Sequence, residues 1–235
     1  MQRLQSGGRG GPFSPTLFDV NEATITLIRH GETAGQSSVR LYGATDVPLS
    51  TVGLAQADAT AMHFASKPVD ALISSPLRRS HAFAEAMRER HPDSPDLTVV
   101  EAFREVDFGD WEGWTIEEVR ARDPDGYARW QAERDEFTYP GGSHRPTFTA
   151  GIRACAAEVF EPEGTTRAPH VVAVLHKGVI KVVLTALLRR EAVLDSPVDL
   201  ASIHVLKGRA GAWKAVASNL TSHLPQALHI PDIPT

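Results

Sequence analysis

The chain has 235 residues, 42% of them hydrophobic and 23% charged, proportions that allow one sizeable core and argue against a disordered chain. The formal net charge is −5, and without a long Lys/Arg run this argues against a nucleic-acid partner. No stretch approaches the ~20 apolar residues of a membrane span, and the single cysteine, Cys155, excludes an intrachain disulfide.

The Gly-Gly-Arg-Gly-Gly segment at 7–11, flanked by Ser and Pro, predicts a flexible tail over residues 1–20 with no secretory apolar core. Thr24–Ile28 is a β-branched run that empties at Arg29-His30-Gly31, the pattern of a buried strand ending in a loop. Ser50 is a candidate N-cap for a helix with Leu54, Ala57, Ala61 and Phe64 on one face. Val69–Ile73 predicts a second strand, ending at Ser74-Ser75-Pro76. From about Leu77 a helix carries Phe83, Ala84 and Met87 inward and stops before Pro92.

Leu97–Val100 predicts a third strand. Thr115–Glu136 is polar and partly helical, broken by Asp123-Pro124-Asp125-Gly126, and reads as an insertion, bounded at about 106–146, over one end of the core. Tyr139–Gly142 is a loop, and Thr147–Phe160 is an amphipathic helix in which Cys155 joins Phe148, Ile152 and Val159 on the core face. Val171–Leu175 is the clearest central strand; it ends at His176-Lys177-Gly178 and leads into a helix through Leu187. Late strands near Ser202–Leu206 and Ala212–Val216 close the domain, 21–225, and leave 226–235 as a tail.

Alternating strands and helices predict an α/β fold: a three-layer α/β/α sandwich with a mostly parallel central sheet and a helical insertion over the active-site end. Ligands of such sheets bind at the carboxyl ends of strands. Two of those ends present His30 and His176, and a third presents Ser-Ser-Pro-Leu-Arg-Arg at 74–79.

The chemistry at those ends suits an anion. Arg29 supplies a planar, permanently charged fork matched to phosphoryl oxygens. Gly31 lets backbone approach closely. A neutral imidazole at His30 can attack phosphorus, and an arginine at a helix start adds to the favourable field there. Glu105 lies among Val106, Phe108 and Trp111, surroundings that can raise a carboxyl pKa and make it a general acid.

The ordered set of motifs resembles the histidine phosphatase superfamily, which includes the cofactor-dependent phosphoglycerate mutases and related phosphatases. The set begins with Arg29-His30-Gly31-Glu32-Thr33, then Arg40, Gly43, Asp46, Pro48-Leu49-Ser50, Gly53 and Gln56-Ala57. It continues with Ser74-Ser75-Pro76-Leu77 and Arg79, then Glu105, Phe108-Gly109, Trp111-Glu112-Gly113 and Pro140-Gly141-Gly142. It ends with His176, Gly178, Ser218-Asn219, Thr221 and His223-Leu224. The resemblance implies that His30 is the nucleophile that becomes phosphorylated and that Arg29 and Arg79 clamp the phosphoryl group. It also implies that His176 stabilises the transferring charge and that Glu105 protonates the leaving oxygen. Gly31, Gln36, Arg40 and Gly43 fall at substrate-binding positions.

The implied reaction is hydrolysis of a small phosphorylated metabolite with no cofactor and no metal. The alternatives are a mutase-like phosphotransferase and a non-catalytic phosphate-binding protein. Mutase-like relatives carry Asn-Glu-Arg-x-Tyr-Gly at the acid segment, whereas this chain has Phe108-Gly109-Asp110-Trp111-Glu112-Gly113, the phosphatase form. Four positions depart from the family pattern: Gln36 replaces Asn, Ser143-His144 replace Glu-Ser, and Lys177 replaces a small residue. Asp107, Asp110 and Glu112 are expected to be surface or structural, Arg78 solvated, and Trp111, Trp114 and Trp130 packing for the insertion. His63, His81, His91, His204 and His229 are expected at the surface or in packing. No membrane or nucleic acid is expected as a partner, a homodimer is left open, and the cytoplasm is the default location.

Overall fold

The computed structural model describes residues 22–160, 170–190 and 196–231. The expected tail at 1–20 and the last four residues lie outside them.

Among the described residues, six strands form one sheet. They are β1 (Ala23–Arg29), β2 (Ala71–Ser74), β3 (Leu97–Val99), β4 (His170–Leu175), β5 (Ile203–Gly208) and β6 (Lys214–Leu220). Their order is β3-β2-β4-β1-β5-β6. The first four are mutually parallel, and β5 runs antiparallel to both β1 and β6. Only β5 therefore opposes the common direction. The last strand lies later than the expected Ala212–Val216 and is largely solvent-exposed. An exposed edge carries little hydrophobic signal, so its limits are poorly marked in sequence.

Among the described residues, six α-helices accompany the sheet: α1 (Thr51–Phe64), α2 (Arg78–Arg90), α3 (Ile116–Arg122), α4 (Pro124–Glu133), α5 (Arg145–Phe160) and α6 (Lys177–Leu188). Helices α1 and α2 pack one face of the sheet through Ala57, Ala61, Phe64, Phe83 and Met87. Helices α5 and α6 pack the other through Ile152, Phe160, Val179 and Val183, and Cys155 lies buried there as expected. Burial of these faces is the main favourable contribution to the fold.

Helix α1 corrects one detail. Ser50 does cap it, accepting from Gly53 N at 3.0 Å, but Leu54 is 50% exposed. The inward face is instead Gly53, Gln56, Ala57, Thr60, Ala61 and Phe64. The helix start presses against the loop after β1, and a Cβ on Gly53 would lie 2.0 Å from Glu32 O. Close approach selects small residues there and turns Leu54 outward.

The insertion has its own small core of Leu41, Val106, Trp111, Val119, Phe137 and Tyr139. Thr115 and Glu118 form a reciprocal cap on α3. The apparent break at Asp123-Pro124 is the junction of two helices. Asp123 Oδ1 accepts from Gly126 N at 2.9 Å to cap α4, Pro124 sits at its first position, and Asp123 Oδ2 accepts from Trp111 Nε1 at 2.9 Å. Past residue 225 the chain makes a short 3-10 turn at Gln226–Leu228, and Leu228 O accepts from Gln56 Nε2 at 2.8 Å.

Candidate active site

Sheet register brings the two histidines together. Arg29 at the end of β1 pairs with Leu175 at the end of the adjacent β4, so the next residues, His30 and His176, emerge side by side. Parallel neighbours lie about 4.8 Å apart, and the two rings have centroids 5.1 Å apart. The backbone of this turn is held from both sides: His30 N donates to Leu175 O at 3.0 Å, and Ala201 N donates to His30 O at 3.2 Å.

His30 Nδ1 lies 2.7 Å from Gly31 O. A carbonyl can only accept, so Nδ1 carries the proton and Nε2 keeps its lone pair. Gly31 also sits tightly against α1, with Gln56 Oε1 and Gly53 O both 2.8 Å from where a Cβ would stand. Glu32 is buried too; its Oε1 accepts from Thr33 N at 2.7 Å and Ser37 Oγ at 3.0 Å, folding the following loop.

Arg79 enters from β2 and α2. Ser80 Oγ donates to Val174 O at 2.6 Å and accepts from Ser75 N at 3.1 Å, fastening the start of α2 to the end of β4. Arg79 is thereby fully buried. Its Nη1 donates to Thr45 O at 3.0 Å, and its Nη2 donates to Gly43 O at 2.8 Å and to Tyr42 O at 3.2 Å. The carbonyl loop that holds it is itself held by Glu112, whose carboxylate accepts from the backbone N–H groups of Gly43, Ala44, Thr45 and Phe108 at 3.0–3.2 Å. Glu112 is thus structural, as expected, and its structure serves the site. Arg78 is exposed as expected, with its backbone N–H donating to Asp46 Oδ1 at 2.7 Å.

Gly43 therefore organises Arg79 and is not among the cavity-lining residues. A Cβ there would stand 1.7 Å from Val106 O and 2.8 Å from Glu112 Oε1. Gly43→Ala should destabilise the fold by about 1–3 kcal/mol through overpacking, and it should weaken phosphate binding because the Arg79 carbonyl cradle must shift. Thermal unfolding with and without phosphate checks both, and unchanged phosphate affinity would break the link from Gly43 to Arg79.

Glu105 is buried, with Oε1 accepting from Val106 N at 2.9 Å and Oε2 from Gly178 N at 2.8 Å. Gly178 explains its own identity: a Cβ would lie 2.5 Å from Glu105 Oε1. The same two residues join the insertion to the start of α6.

Electrostatics divide the roles. Burial lowers His30 and His176 well below the usual histidine value, and the charges of Arg79 and Arg29 lower them further. Both rings are therefore neutral at pH 7. Burial raises Glu105 despite the opposing hydrogen bonds and arginines, so it keeps its proton to higher pH than an ordinary carboxyl. Burial also lowers Arg79. Both ring nitrogens of His176 and the Nε of Arg79 are buried without a hydrogen-bond partner. Buried polar atoms left unsatisfied cost about 1–3 kcal/mol each, a cost that a bound anion would relieve. Among the described residues, no group of three or more His, Cys, Asp or Glu is placed to hold a metal ion.

The description of the histidine phosphatase superfamily (branch 1) matches residues 25–221 of this chain. The chain belongs to that superfamily. It is 31% identical over 224 residues to a bifunctional protein of Mycobacterium tuberculosis, an alignment covering 93% of this chain and 57% of the other. The chain thus spans little more than half the length of that relative. It is 33% identical over 172 residues to the glucosyl-3-phosphoglycerate phosphatase of Mycobacterium tuberculosis, covering 70% of this chain and 75% of the other. The solved mycobacterial glucosyl-3-phosphoglycerate phosphatase superposes with a TM-score of 0.73 at 29% identity, over 86% of this chain and 100% of that one.

In this superfamily member the site opens into a cavity of about 570 Å³ lined by Arg29, His30 and Glu105 at its base. His176 and Arg79 are fully buried and outside the lining. Arg40 lines the cavity, but it is engaged by Gly113 O at 2.7 Å and Glu118 Oε2 at 2.8 Å. Gln36 does not line it. Gln36 is exposed at a left-handed φ of 63° where the loop turns, and Ser37 and Ser38 face the cavity instead. Trp111 is buried in the insertion core as expected, yet Trp111 and Trp130 also line the cavity. The expectation of packing alone for those two was too narrow.

Lys181, Arg134 and Arg145 also line the cavity and were not singled out in sequence. Lys181 was findable, because it lies four residues after Lys177 on a helix and so shares its face. Arg134 and Arg145 carry no comparable signal, since their position depends on how the insertion folds. The histidines His63 and His229 are exposed, whereas His91 and His204 are buried in packing. Burial holds His204 down at about 4, which leaves it neutral.

Proposed function

We propose that this chain is a metal-independent phosphomonoesterase that works through a phosphohistidine on His30, with Glu105 as general acid and then general base. Its substrate is a small phosphorylated metabolite. The observation that carries this reading is the pairing of a neutral His30, its Nδ1 committed to Gly31 O, with a raised, buried Glu105 beside buried cationic and unsatisfied donors.

In the first step His30 Nε2 attacks phosphorus, the P–N bond forms, and the ester P–O bond breaks. The proton of Glu105 passes to the departing alkoxide. In the second step Glu105, now a carboxylate, takes a proton from water as the hydroxide oxygen bonds to phosphorus and the P–N bond breaks. Arg29, Arg79 and His176 supply positive charge and donors to the equatorial oxygens. That positioning and electrostatic stabilisation is most of what phosphoryl transfer requires. The relatives called phosphatases support hydrolysis of a phosphate ester, and the phosphatase form of the segment 108–113 favours water as the acceptor.

Purified protein should release phosphate from p-nitrophenyl phosphate and from some members of a panel of phosphorylated metabolites, with equal rates in the presence of a chelator. Rapid quench should trap an acid-labile, base-stable phosphoryl group on His30. Loss of turnover in chelator would overturn the metal-independent reading. A stable phosphohistidine that transfers to added alcohols but not to water would favour the phosphotransferase.

A further inference from the structure

Two motifs of the chain take no part in the chemistry described so far: Gln56-Ala57 on α1, and Asn219 to Leu224 at the end of β6. Both reach the backbone that carries Arg29, His30 and Glu32, and they reach it through different partners.

One arm starts at Asn219. Between Ala217 and Leu220, Ser218 and Asn219 together oppose His204 alone, a bulge in the pairing of β6 with β5. Bulges re-aim a side chain, and Asn219 takes a left-handed φ of 49°, which asparagine tolerates. Its amide grips Asp199: Oδ1 accepts from Asp199 N at 2.8 Å, and Nδ2 donates to Asp199 Oδ2 at 2.7 Å. Asp199 belongs to the segment that braces the nucleophile, in which Val198, Leu200, Ala201 and Ser202 are buried. Val198 O accepts from Arg29 Nη1 at 2.8 Å, Ser202 O accepts from Arg29 N at 3.2 Å, and Ala201 N donates to His30 O at 3.2 Å. His204 joins the bulge to the same segment. Its Nδ1 accepts from Asn219 N at 3.3 Å, which leaves the proton on Nε2 to be donated to Ser202 Oγ at 3.2 Å.

The other arm crosses α1. Thr60 Oγ1 donates to Gln56 O at 2.8 Å and so accepts from His223 Nε2 at 3.0 Å, while Leu224 enters the core under α1 and α2. At the following turn Leu228 O accepts from Gln56 Nε2 at 2.8 Å. The same fully buried amide accepts from Glu32 N through Oε1 at 2.8 Å, two residues beyond His30. Turning the amide over would set Nε2 against an N–H and Oε1 against a carbonyl, so its two partners fix its orientation.

Resting on the phosphomonoesterase reading, we infer that Asn219 and Gln56 are positioning residues for phosphoryl transfer, through which residues 219–228 strap the 29–32 loop and aim the His30 imidazole at phosphorus. Attack tolerates little displacement, since an error of about 1 Å costs on the order of 10²-fold in rate.

Three variants test the strap. Asn219→Gly removes both bonds to Asp199 and leaves the left-handed backbone unstrained. Asp199→Asn combined with Asn219→Asp reverses the polarity of the pair and rebuilds both bonds, because the new amide donates to the new carboxylate. Gln56→Met keeps the side-chain length and removes both of its bonds. Rapid quench with p-nitrophenyl phosphate gives the rate of phosphohistidine formation, and titration gives the Kd of inorganic phosphate, both at a temperature where unfolding scans show each variant folded. Asn219→Gly and Gln56→Met should each slow phosphohistidine formation by about 10–10²-fold. The Kd of phosphate, set also by Arg79 and His176, should move by less than about threefold, a split that mere loss of stability does not produce. The reversed pair should return the rate to within about threefold of wild type.

Hydrogen exchange reads the strap without turnover. The amide of Arg29 should exchange faster in Asn219→Gly and that of Glu32 faster in Gln56→Met, and the reversed pair should restore the first. Should Asn219→Gly not fold, Asp199→Ala, which removes one of the two bonds, takes its place with the same expected split. An unchanged rate of phosphohistidine formation in folded Asn219→Gly and Gln56→Met, or a reversed pair as slow as Asn219→Gly, overturns the positioning role. Absence of any phosphohistidine in wild type would instead overturn the phosphatase reading, and the exchange rates would still decide for or against the strap.

Discussion

His30→Ala should lose about 10⁴-fold or more of kcat, because in the proposed mechanism it removes the atom that bonds to phosphorus and no other group replaces it. Glu105 and His176 stay in place: the carboxylate is held by Val106 N and Gly178 N, neither of which involves the imidazole. Inorganic phosphate should therefore still bind through Arg29, Arg79 and His176, and at one hundred times its Kd it should stabilise the variant by about 2.7 kcal/mol. Thermal unfolding with and without phosphate, beside turnover and quench labelling, separates loss of the nucleophile from loss of the fold. Turnover above a hundredth of wild type, or a label retained on another residue, would exclude His30 as the acceptor.

Glu105→Gln should lower kcat/KM by about 10²–10⁴-fold for esters with poorly leaving alkoxides, the range of a missing general acid. The loss in the first step should be much smaller for p-nitrophenyl phosphate, whose leaving group departs without a proton. Hydrolysis of the phosphohistidine still needs a base, so this substrate should give a burst of p-nitrophenolate followed by slow turnover.

The pH profile supplies the second readout. Phosphorylation needs His30 neutral and Glu105 protonated. Lowering His30 and raising Glu105 both widen the range of pH in which the two conditions are met together. In wild type, kcat/KM should fall on the acid side as His30 gains its proton and on the alkaline side as Glu105 loses its own. Glutamine does not titrate, so the alkaline limb should vanish in the variant. An alkaline limb that persists would assign that ionisation to another group.

The same shifts bear on stability with opposite signs. A buried neutral histidine binds a proton more weakly than in the unfolded chain, so His30 and His176 contribute stability above the usual histidine value and lose it as pH falls below about 6.5. Glu105, raised in the fold, opposes this by favouring the folded state at lower pH. Two histidines against one carboxyl make acid the destabilising direction for the site.

Much of the site was legible in one dimension because its residues follow strand ends. A buried parallel strand is a continuous apolar run, so Val171–Leu175 announces both itself and the residue after it, and His30 after Ile28 and Arg29 is marked in the same way. Motif order then distinguished Arg79 from Arg78. The burial of the first and the exposure of the second follow from Ser80 anchoring the helix to β4. The core faces of α2 and α5 were equally readable, since their apolar residues repeat at the helical period.

Other features depended on surfaces that only exist once distant segments meet. Leu54 fits an apolar stripe as well as its neighbours do, but the approach of α1 to Glu32 rotates a smaller face inward. Glu112 looks like one of several acidic residues in a polar stretch; its four backbone donors come from residues 43–45 and 108, brought together only by the folded loop. Gln36 has the amide of a phosphate ligand, and a left-handed turn leaves it exposed. By itself the sequence determined the layered fold and the family, and it marked the candidate residues at the strand ends, because strand and helix periodicity and motif order are local properties of the chain. Tertiary structure alone decided the protonation of His30 and Glu105, the cradle around Arg79 and the cationic wall of the cavity, because burial and charge proximity are properties of segments that meet only in space.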